Sequence, residues 1–381
     1  MNQQSSVSIG ILCNPLWQSQ QKTLRDNSEM ANWKKILETA SSLGVKAYIF
    51  GLNDLQFEKN MLRAYSWDGI RFTEEQIPMP HVIYDQLASR KLERSQRLRD
   101  RRKRLSEMYG LRIFNDGFFD KWQVYEWLSE NQAIRSALPA TILHRQRDRT
   151  KQFMERHGSV YIKPIHGSLG IGIIRLLQTA DGTVQYQWKS GRKKVVQGQM
   201  ASFDKWLEQF GKRLRQRPYI CQESIRLATY EGRPFDIRIL MQRDGSGQWK
   251  RTKAFARVAR IGDFTSNLSS GGLALPLSQV LSQIWKEHRQ YNQVRQRIND
   301  LARKVVQQLQ EECEHTLGEL GVDVGVTPSG QVYVIEVNSK PHKTPTTQAG
   351  RQDLVDLSFR RPIEFAVYLA QTHLGSKAGE S

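Results

Sequence analysis

Cysteine is scarce: Cys13, Cys221 and Cys313 are the only three in 381 residues, and none has a CxxC or Cys/His neighbour at ligand spacing. That excludes a disulfide framework and a structural zinc motif, and the thiols are expected to be reduced and buried. Long apolar runs are missing too. None approaches the ~20 residues of a membrane span, and the polar Met1–Ser6 has no secretory hydrophobic segment behind it. The expectation is a cytoplasmic protein with no membrane partner. Acidic residues number 38 against 57 basic ones, a net charge of +19. Such a surface attracts anions: nucleotides, acidic polymers or nucleic acid. Zinc, helix-turn-helix and RRM-type signatures are absent, which disfavours nucleic acid. So are GxxxxGK[ST] and a GxGxxG after the first strand, which argues against a P-loop and a dinucleotide fold.

What is present reads as a mixed α/β chain. Its 39% hydrophobic content supports a sizeable core, and its length suggests two or three domains. Val7–Cys13 is a short buried-strand pattern ended by Asn14-Pro15, a helical segment near Asn32–Ser42 follows, and Val45–Phe50 is a second strand. With His81–Gln86 as another strand, the first ~110 residues form a small α/β domain. Arg90–Arg104 is a dense basic run of helical composition, to be read as a solvated helix face or as a patch for an acidic polymer.

Val160–Arg175 (VYIKPIHGSLGIGIIR) reads as strand, glycine loop and strand, the pattern of a lid. Glycines let backbone N–H groups approach phosphate oxygens, and Lys163 beside them supplies a point charge. An ordinary glycine-rich hairpin is the alternative. A protein kinase is disfavoured because no HRD or DFG follows. Helical Phe203–Leu214 leads into the strand Tyr219–Ile225, which turns polar at Gln222-Glu223. Next come Phe235–Arg243, the turn Asp244–Gly247 and Gln248–Val258, carrying Arg238, Lys253 and Arg257. Facing a nucleotide, these cations would neutralise polyphosphate; singly, each could be a surface cation. Gly262–Gly272 (GDFTSNLSSGG) suits a loop closing over a ligand. Leu277–Leu320 is expected to be helical.

Gly321–Lys340 reads as a β-hairpin around a Pro-Ser-Gly turn. If Val326 pairs with Gln331, alternation puts Asp323, Val334, Glu336 and Asn338 on one face and Val322, Val324, Ile335 and Val337 on the other. Asp323 and Glu336 become diagonal neighbours with Asn338 nearby. Such oxygen donors suit Mg²⁺ or Mn²⁺. A sheet with one wet face is the alternative.

The order KPxxGSLGIG, QESI, DIR, ARxxRIGDFTSNLSSGG, then Asp and, after twelve intervening residues, EVN resembles the ATP-grasp superfamily of carboxylate-amine ligases. The Gly262–Gly272 segment is similar to the loop of ribosomal-protein glutamate ligases. Over most of its length the chain looks like the YheC/YheD-type endospore coat-associated proteins. The resemblance implies an α/β (α+β) fold of two α+β subdomains clasping ATP, preceded by a small Rossmann-like pre-ATP-grasp domain. Its boundaries would be 1–110, 111–225 with the lid, and 226–372 with the metal site, before a disordered tail at 373–381. It further implies that Lys163, Lys121 and the loop with His166, Gly167, Ser168, Gly170 and Gly172 meet the phosphates. Gln222 and Glu223 would sit at the adenine hinge, Asp236 on the ribose and Lys253 by the nucleotide. Arg238 and Arg257 would hold phosphate or an acyl phosphate, and Asp323, Glu336 and Asn338 would bind Mg²⁺. The implied activity is ATP- and Mg-dependent joining of a carboxylate to an amine acceptor through an acyl phosphate. Implied partners are a small-molecule or peptide carboxylate, an acidic polymer or spore coat proteins. A non-catalytic, ATP-binding or structural coat protein is the rival.

Overall fold

The computed structural model describes residues 7–87, 95–167, 170–266, 268–345 and 351–375. The first sheet runs Leu55–Gln56, Met61–Trp67, Lys46–Phe50, Ser8–Leu12, Val82–Asp85, Ile113–Phe114, with Phe72–Pro78 paired to Met61–Trp67. Ser8–Leu12 is parallel to both its neighbours, whereas Met61–Trp67 and Phe72–Pro78 form an antiparallel extension. A parallel pair needs a crossover, and the helix Met30–Ser42 supplies it, burying Trp33, Ile36, Leu37 and Ala40 at helical spacing. The expected β-α-β opening is therefore present. Its core is completed from the far end of the chain: Val355, Phe359, Ile363 and Ala366 of the helix Gln352–Gly375 cluster with Ile9, Ile11, Trp33 and Ile36. Of the tail expected from 373 onward, residues through Gly375 are helical and 376–381 lie outside the described residues.

The second sheet is antiparallel throughout, in the order Thr141–Leu143, Tyr219–Glu223, Ser159–Pro164, Ile174–Gln178, Val184–Lys189, Val195–Met200. Helices Arg147–His157 and Phe203–Leu214 cover one face, packing Met154, Trp206 and Phe210 onto Ile162, Leu176 and Tyr186. Ser202 starts the second of these helices by accepting from the Lys205 amide.

The third sheet runs Leu273–Pro276, Trp249–Val258, Arg233–Arg243, Glu319–Val326, Val332–Asn338. The continuous helix expected over Leu277–Leu320 is two helices, Leu277–Ile284 and His288–Glu312, and Glu319 and Leu320 already belong to the strand. Alternation decides this. Leu320, Val322, Val324 and Val326 all enter the apolar core on the helix side, leaving Glu319, Gly321, Asp323 and Gly325 on the other.

The basic run is only partly a solvated face. Residues 90–94 fall outside the described set, and the helix begins at Gln96 and ends at Tyr109. Within it, Arg101 donates to the Leu52 carbonyl (2.7 Å), Arg102 donates to Asp116 (2.9 Å) and pairs with Asp85, and Arg104 reaches Glu58 (2.9 Å). The cations facing inward thus anchor the helix to the first sheet.

Where the first and third sheets meet, Glu319 is fully buried. Lys343 Nζ bonds both its oxygens (3.0 and 2.7 Å), Gln86 and Gln242 donate amides (3.1 and 2.8 Å), and the Tyr84 hydroxyl donates as well. Asn115 accepts from the Gly318 and Glu319 amides and donates to the Glu319 carbonyl (2.9, 3.0 and 2.6 Å). Lys343→Met strips the carboxylate of its counter-charge, and removing one partner of a buried pair costs about 3–5 kcal/mol. Urea denaturation is expected to show a loss at the lower end of that range, since the other donors remain. Lys103→Met, which removes only an exposed pairing with Glu107, is expected to leave the midpoint unchanged.

Candidate active site

One cross-strand row organises the site. Arg238 pairs with Asp323, and Asp323 pairs with Glu336, while Asp236 pairs with Arg257 one step along the same face. The expected hairpin register needs correction. Val326 faces Val332 rather than Gln331, and the register shifts again between Asp323 and Val324. That β-bulge places Asp323 and Glu336 directly opposite instead of diagonally. It also moves Val334 into the apolar core with Val337, away from the carboxylate face on which strict alternation put it.

Asp323 is 2% exposed and held from two sides: Arg238 grips it with Nε and Nη2, and Arg257 Nη2 lies 2.8 Å from Oδ2. Arg257 also bonds both oxygens of Asp236 (2.6 and 2.6 Å), and the Ser266 hydroxyl donates to Asp236 (2.5 Å). Burial alone would raise the Asp323 pKa, but Arg238 and Arg257 outweigh it and hold the carboxyl below its usual range. For Arg257, burial works to lower the pKa and is overcome by Asp323 and Asp236, which raise it. Gly321 keeps the approach close here: a Cβ would lie 3.1 Å from Pro341 and 3.4 Å from Arg238 Nη1, so those neighbours would have to give by a few tenths of an ångström. Lys253 is on the same face and half-buried; burial lowers its pKa, and Lys343 and Arg238 add to that while Glu319 opposes it.

Facing this sheet are the lysines of the lid side. Lys121, at the start of a helix capped by Asp120, lies 3.1 Å from Glu336 and donates to the Gly167 carbonyl (3.2 Å). Lys163 is buried and bonded to the Gln222 side chain. Burial pushes its pKa down to about 8, with Glu336 opposing and Lys121 reinforcing. Lys121, Lys163, Gln222 and Glu336 therefore converge. Glu223 does not join them: it faces the Ala140 amide (3.3 Å) and His157 (3.6 Å). His166 is exposed, Ser168 lies outside the described residues, and Gly170 and Gly172 have φ of +70° and +88°, which side chains tolerate poorly.

A second lid contact has no signature in the sequence. Lys189, fully buried, pairs with Asp263 and donates to Thr265 (2.7 Å), tying the lid sheet to the Gly262–Gly272 loop, and Phe264 stacks near Tyr161 (6.3 Å). Asn267 of that loop lies outside the described residues. The partners are 74 positions apart, so no local pattern announces the pair.

The donor set fits a hard cation. Two carboxylates stand opposite each other, and Asn338, two residues beyond Glu336 on the same strand, would bring its amide oxygen, while its buried Nδ2, without a hydrogen-bond partner, is a donor for a ligand oxygen. No cluster of three His, Cys, Asp or Glu forms among the described residues, so the third donor would be that amide.

Two antiparallel sheets meeting over this cleft, with a glycine lid on one and a carboxylate hairpin on the other, define an ATP-grasp fold. Residues 110–369 match the YheC/D like ATP-grasp family, and the chain belongs to it. It is 25% identical over 368 residues to the endospore coat-associated protein YheD of Bacillus subtilis (strain 168), covering 97% of this chain and 80% of that protein. In structure it resembles D-alanyl-alanine synthetase A from Vibrio cholerae O1 biovar eltor (TM-score 0.54, 12% identity, 98% of this chain, 99% of the other). It also resembles the ATP-grasp ligase PsnB complexed with minimal precursor (TM-score 0.52, 14% identity, 96% and 99%).

Lys163 gives the site a pH signature. Its folded-state pKa of about 8 lies below the ordinary lysine value, so between pH 8 and 10.5 the unfolded chain holds more protons and this group favours folding as pH rises. A phosphate beside it acts in the opposite sense by keeping it protonated. ATP affinity is therefore expected to fall as pH rises through 8, by at most about tenfold per unit for one proton. Calorimetry from pH 7 to 9.5 should show this decline in the wild type and a flat profile in Lys163→Met.

Proposed function

We propose that the protein is an ATP- and Mg-dependent ligase that joins a carboxylate to an amine acceptor through an acyl phosphate. The observation that carries the reading is the convergence of Lys121, Lys163, Gln222 and Glu336 beside an aspartate held by two arginines, with Asn338 two residues along the strand from Glu336. Mg²⁺, when bound to Glu336 and Asn338 with Asp323 behind them, would neutralise phosphate charge. Lys163 and Lys121 would hold the nucleotide phosphates, and the Gly167–Gly172 segment would cover them. Arg238 and Arg257, fixed by Asp323 and Asp236, would face the equatorial oxygens during transfer. A carboxylate oxygen attacking the γ-phosphorus releases ADP, and an amine then displaces phosphate from the acyl carbon. The Lys189–Asp263 contact would keep both loops closed while that reactive species exists. Gln222, with the Glu223 backbone, would receive the adenine, and residues 1–110 would form the pre-ATP-grasp domain that shapes the acceptor site ahead of subdomains 111–225 and 226–372. The names of the relatives support an association with the spore coat.

A second reading is a coat-associated protein without turnover. It is favoured by one observation: Asp323 and Glu336 already hold internal cations, so the site is neutralised without a metal.

Calorimetric titration with ATP, with and without Mg²⁺, followed by ADP release with pooled amino acids and acidic peptides, separates the two. The ligase reading expects Mg-dependent binding and stimulated ADP release. Glu336→Gln with Asn338→Ala should abolish the Mg-dependence with unchanged circular dichroism, and Lys163→Ala should weaken ATP binding by about 1.5–3 kcal/mol. No binding at millimolar ATP would leave the structural reading.

A further inference from the structure

The lid sheet has a second polar surface that the nucleotide chemistry does not use. Gln222, Tyr161, Arg175, Gln187 and Gln197 are successive cross-strand partners, so the row that begins at the candidate adenine hinge continues outward across four more strands. A parallel row holds Leu177, Gln185 and Gln199. Together these outer residues line a cavity of about 580 Å³. Of the eight residues that line it, four are glutamines and one is arginine, Leu177, Tyr186 and Gly198 complete it, and none is acidic.

Arg175 is the informative member. Its Nε is buried and has no hydrogen-bond partner. A guanidinium N–H without an acceptor is costly, and an arriving anion removes that cost. Each glutamine offers both a donor and an acceptor. The pairs Gln185/Gln187 and Gln197/Gln199 repeat every second residue, which is about 6.6–6.8 Å along a strand and matches the repeat of an extended peptide. The turn ending the same hairpin exposes Arg192, Lys193 and Lys194, so charge increases toward one end. Leu177, 38% exposed, offers one apolar contact. A nucleic acid would call for open aromatic platforms or a track of cations across the face; here Tyr161 is stacked with Phe264, Tyr186 is packed into the core, and the face itself has amides around a single arginine.

We propose that this face binds an extended acidic peptide, its backbone met by the glutamines and a carboxylate by Arg175. The site stands on the lid sheet alone and does not depend on the ligase reading.

The test is fluorescence anisotropy of the full chain with a labelled peptide of alternating Glu and Ser, with a Lys–Ser peptide and a single-stranded oligonucleotide as competitors. Arg175→Glu is expected to weaken the acidic peptide by about tenfold or more, as reversing a charge at a buried contact does. Arg97→Glu, the same charge change on the exposed face of the basic helix, should leave it within about twofold, as for a distant rim charge. Gln187→Ala with Gln197→Ala gives a second, charge-neutral variant expected to weaken binding should Arg175→Glu disturb folding. Equal weakening by Arg175→Glu and Arg97→Glu would overturn the proposal, as would stronger binding of the oligonucleotide or no binding of the acidic peptide. ATP titration of Arg175→Glu separates this site from the other: unchanged ATP affinity supports it, and a parallel loss assigns Arg175 to the nucleotide cleft and overturns it.

Discussion

A carboxylate taken fully out of water has to be matched in charge and in hydrogen bonds, and in this fold Glu319 imposes that demand where the first and third sheets meet. Its partners come from the end of a first-sheet strand (Tyr84, Gln86), from the centre of the third sheet (Gln242) and from beyond the hairpin (Lys343). Next to it, Asp85 is matched by Lys340 and Arg102, and Arg102 is shared with Asp116. Lys340 follows Asn338 by two residues, so the strand that bears the candidate metal donors is anchored to the first sheet by an ion pair. Sliding one sheet past the other would break both sets at once.

The cleft uses charge in a different way. Arg238 and Arg257 are set against Asp323 and Asp236, and this near-neutral quartet fixes the guanidinium planes before any ligand arrives. Lys163 is the contrast. It is desolvated and hydrogen-bonded to a neutral amide, so its charge is open to recruitment by an incoming phosphate. The arginines are pre-oriented and the lysine is poised, a division that suits a site handling a polyanion.

What the sequence made legible was local: the strand, glycine loop and strand around Lys163, and the EVN hairpin, whose polar residues fell on the expected face apart from the shift at the bulge. A bulge leaves no composition signal, which is why strict alternation misplaced Val334. Leu277–Leu320 looked helical because its apolar spacing is helical as far as Glu312, whereas the switch to two-residue alternation at Glu319 is short. The antiparallel pair Met61–Trp67 and Phe72–Pro78 carries charged and polar residues on its exposed face and gave no strong strand pattern. Contacts such as Lys189 with Asp263 and Tyr84 with Glu319, separated by 74 and 235 positions, exist only after folding.

The helix Gln352–Gly375 closes the core of the sheet that begins at Ser8. During synthesis the first strands therefore leave the ribosome without the surface they must bury. Helix Met30–Ser42 can cover part of them, but Ile9, Ile11 and Tyr84 wait for Phe359 and Ile363, more than 270 positions later. The second sheet has no such debt, since its strands and both covering helices lie within residues 141–223. The sheet that starts at Ser8 is thus finished only once the helix from Gln352 has been made, and a ribosome that stalls before residue 355 presents an exposed apolar sheet to the quality-control machinery.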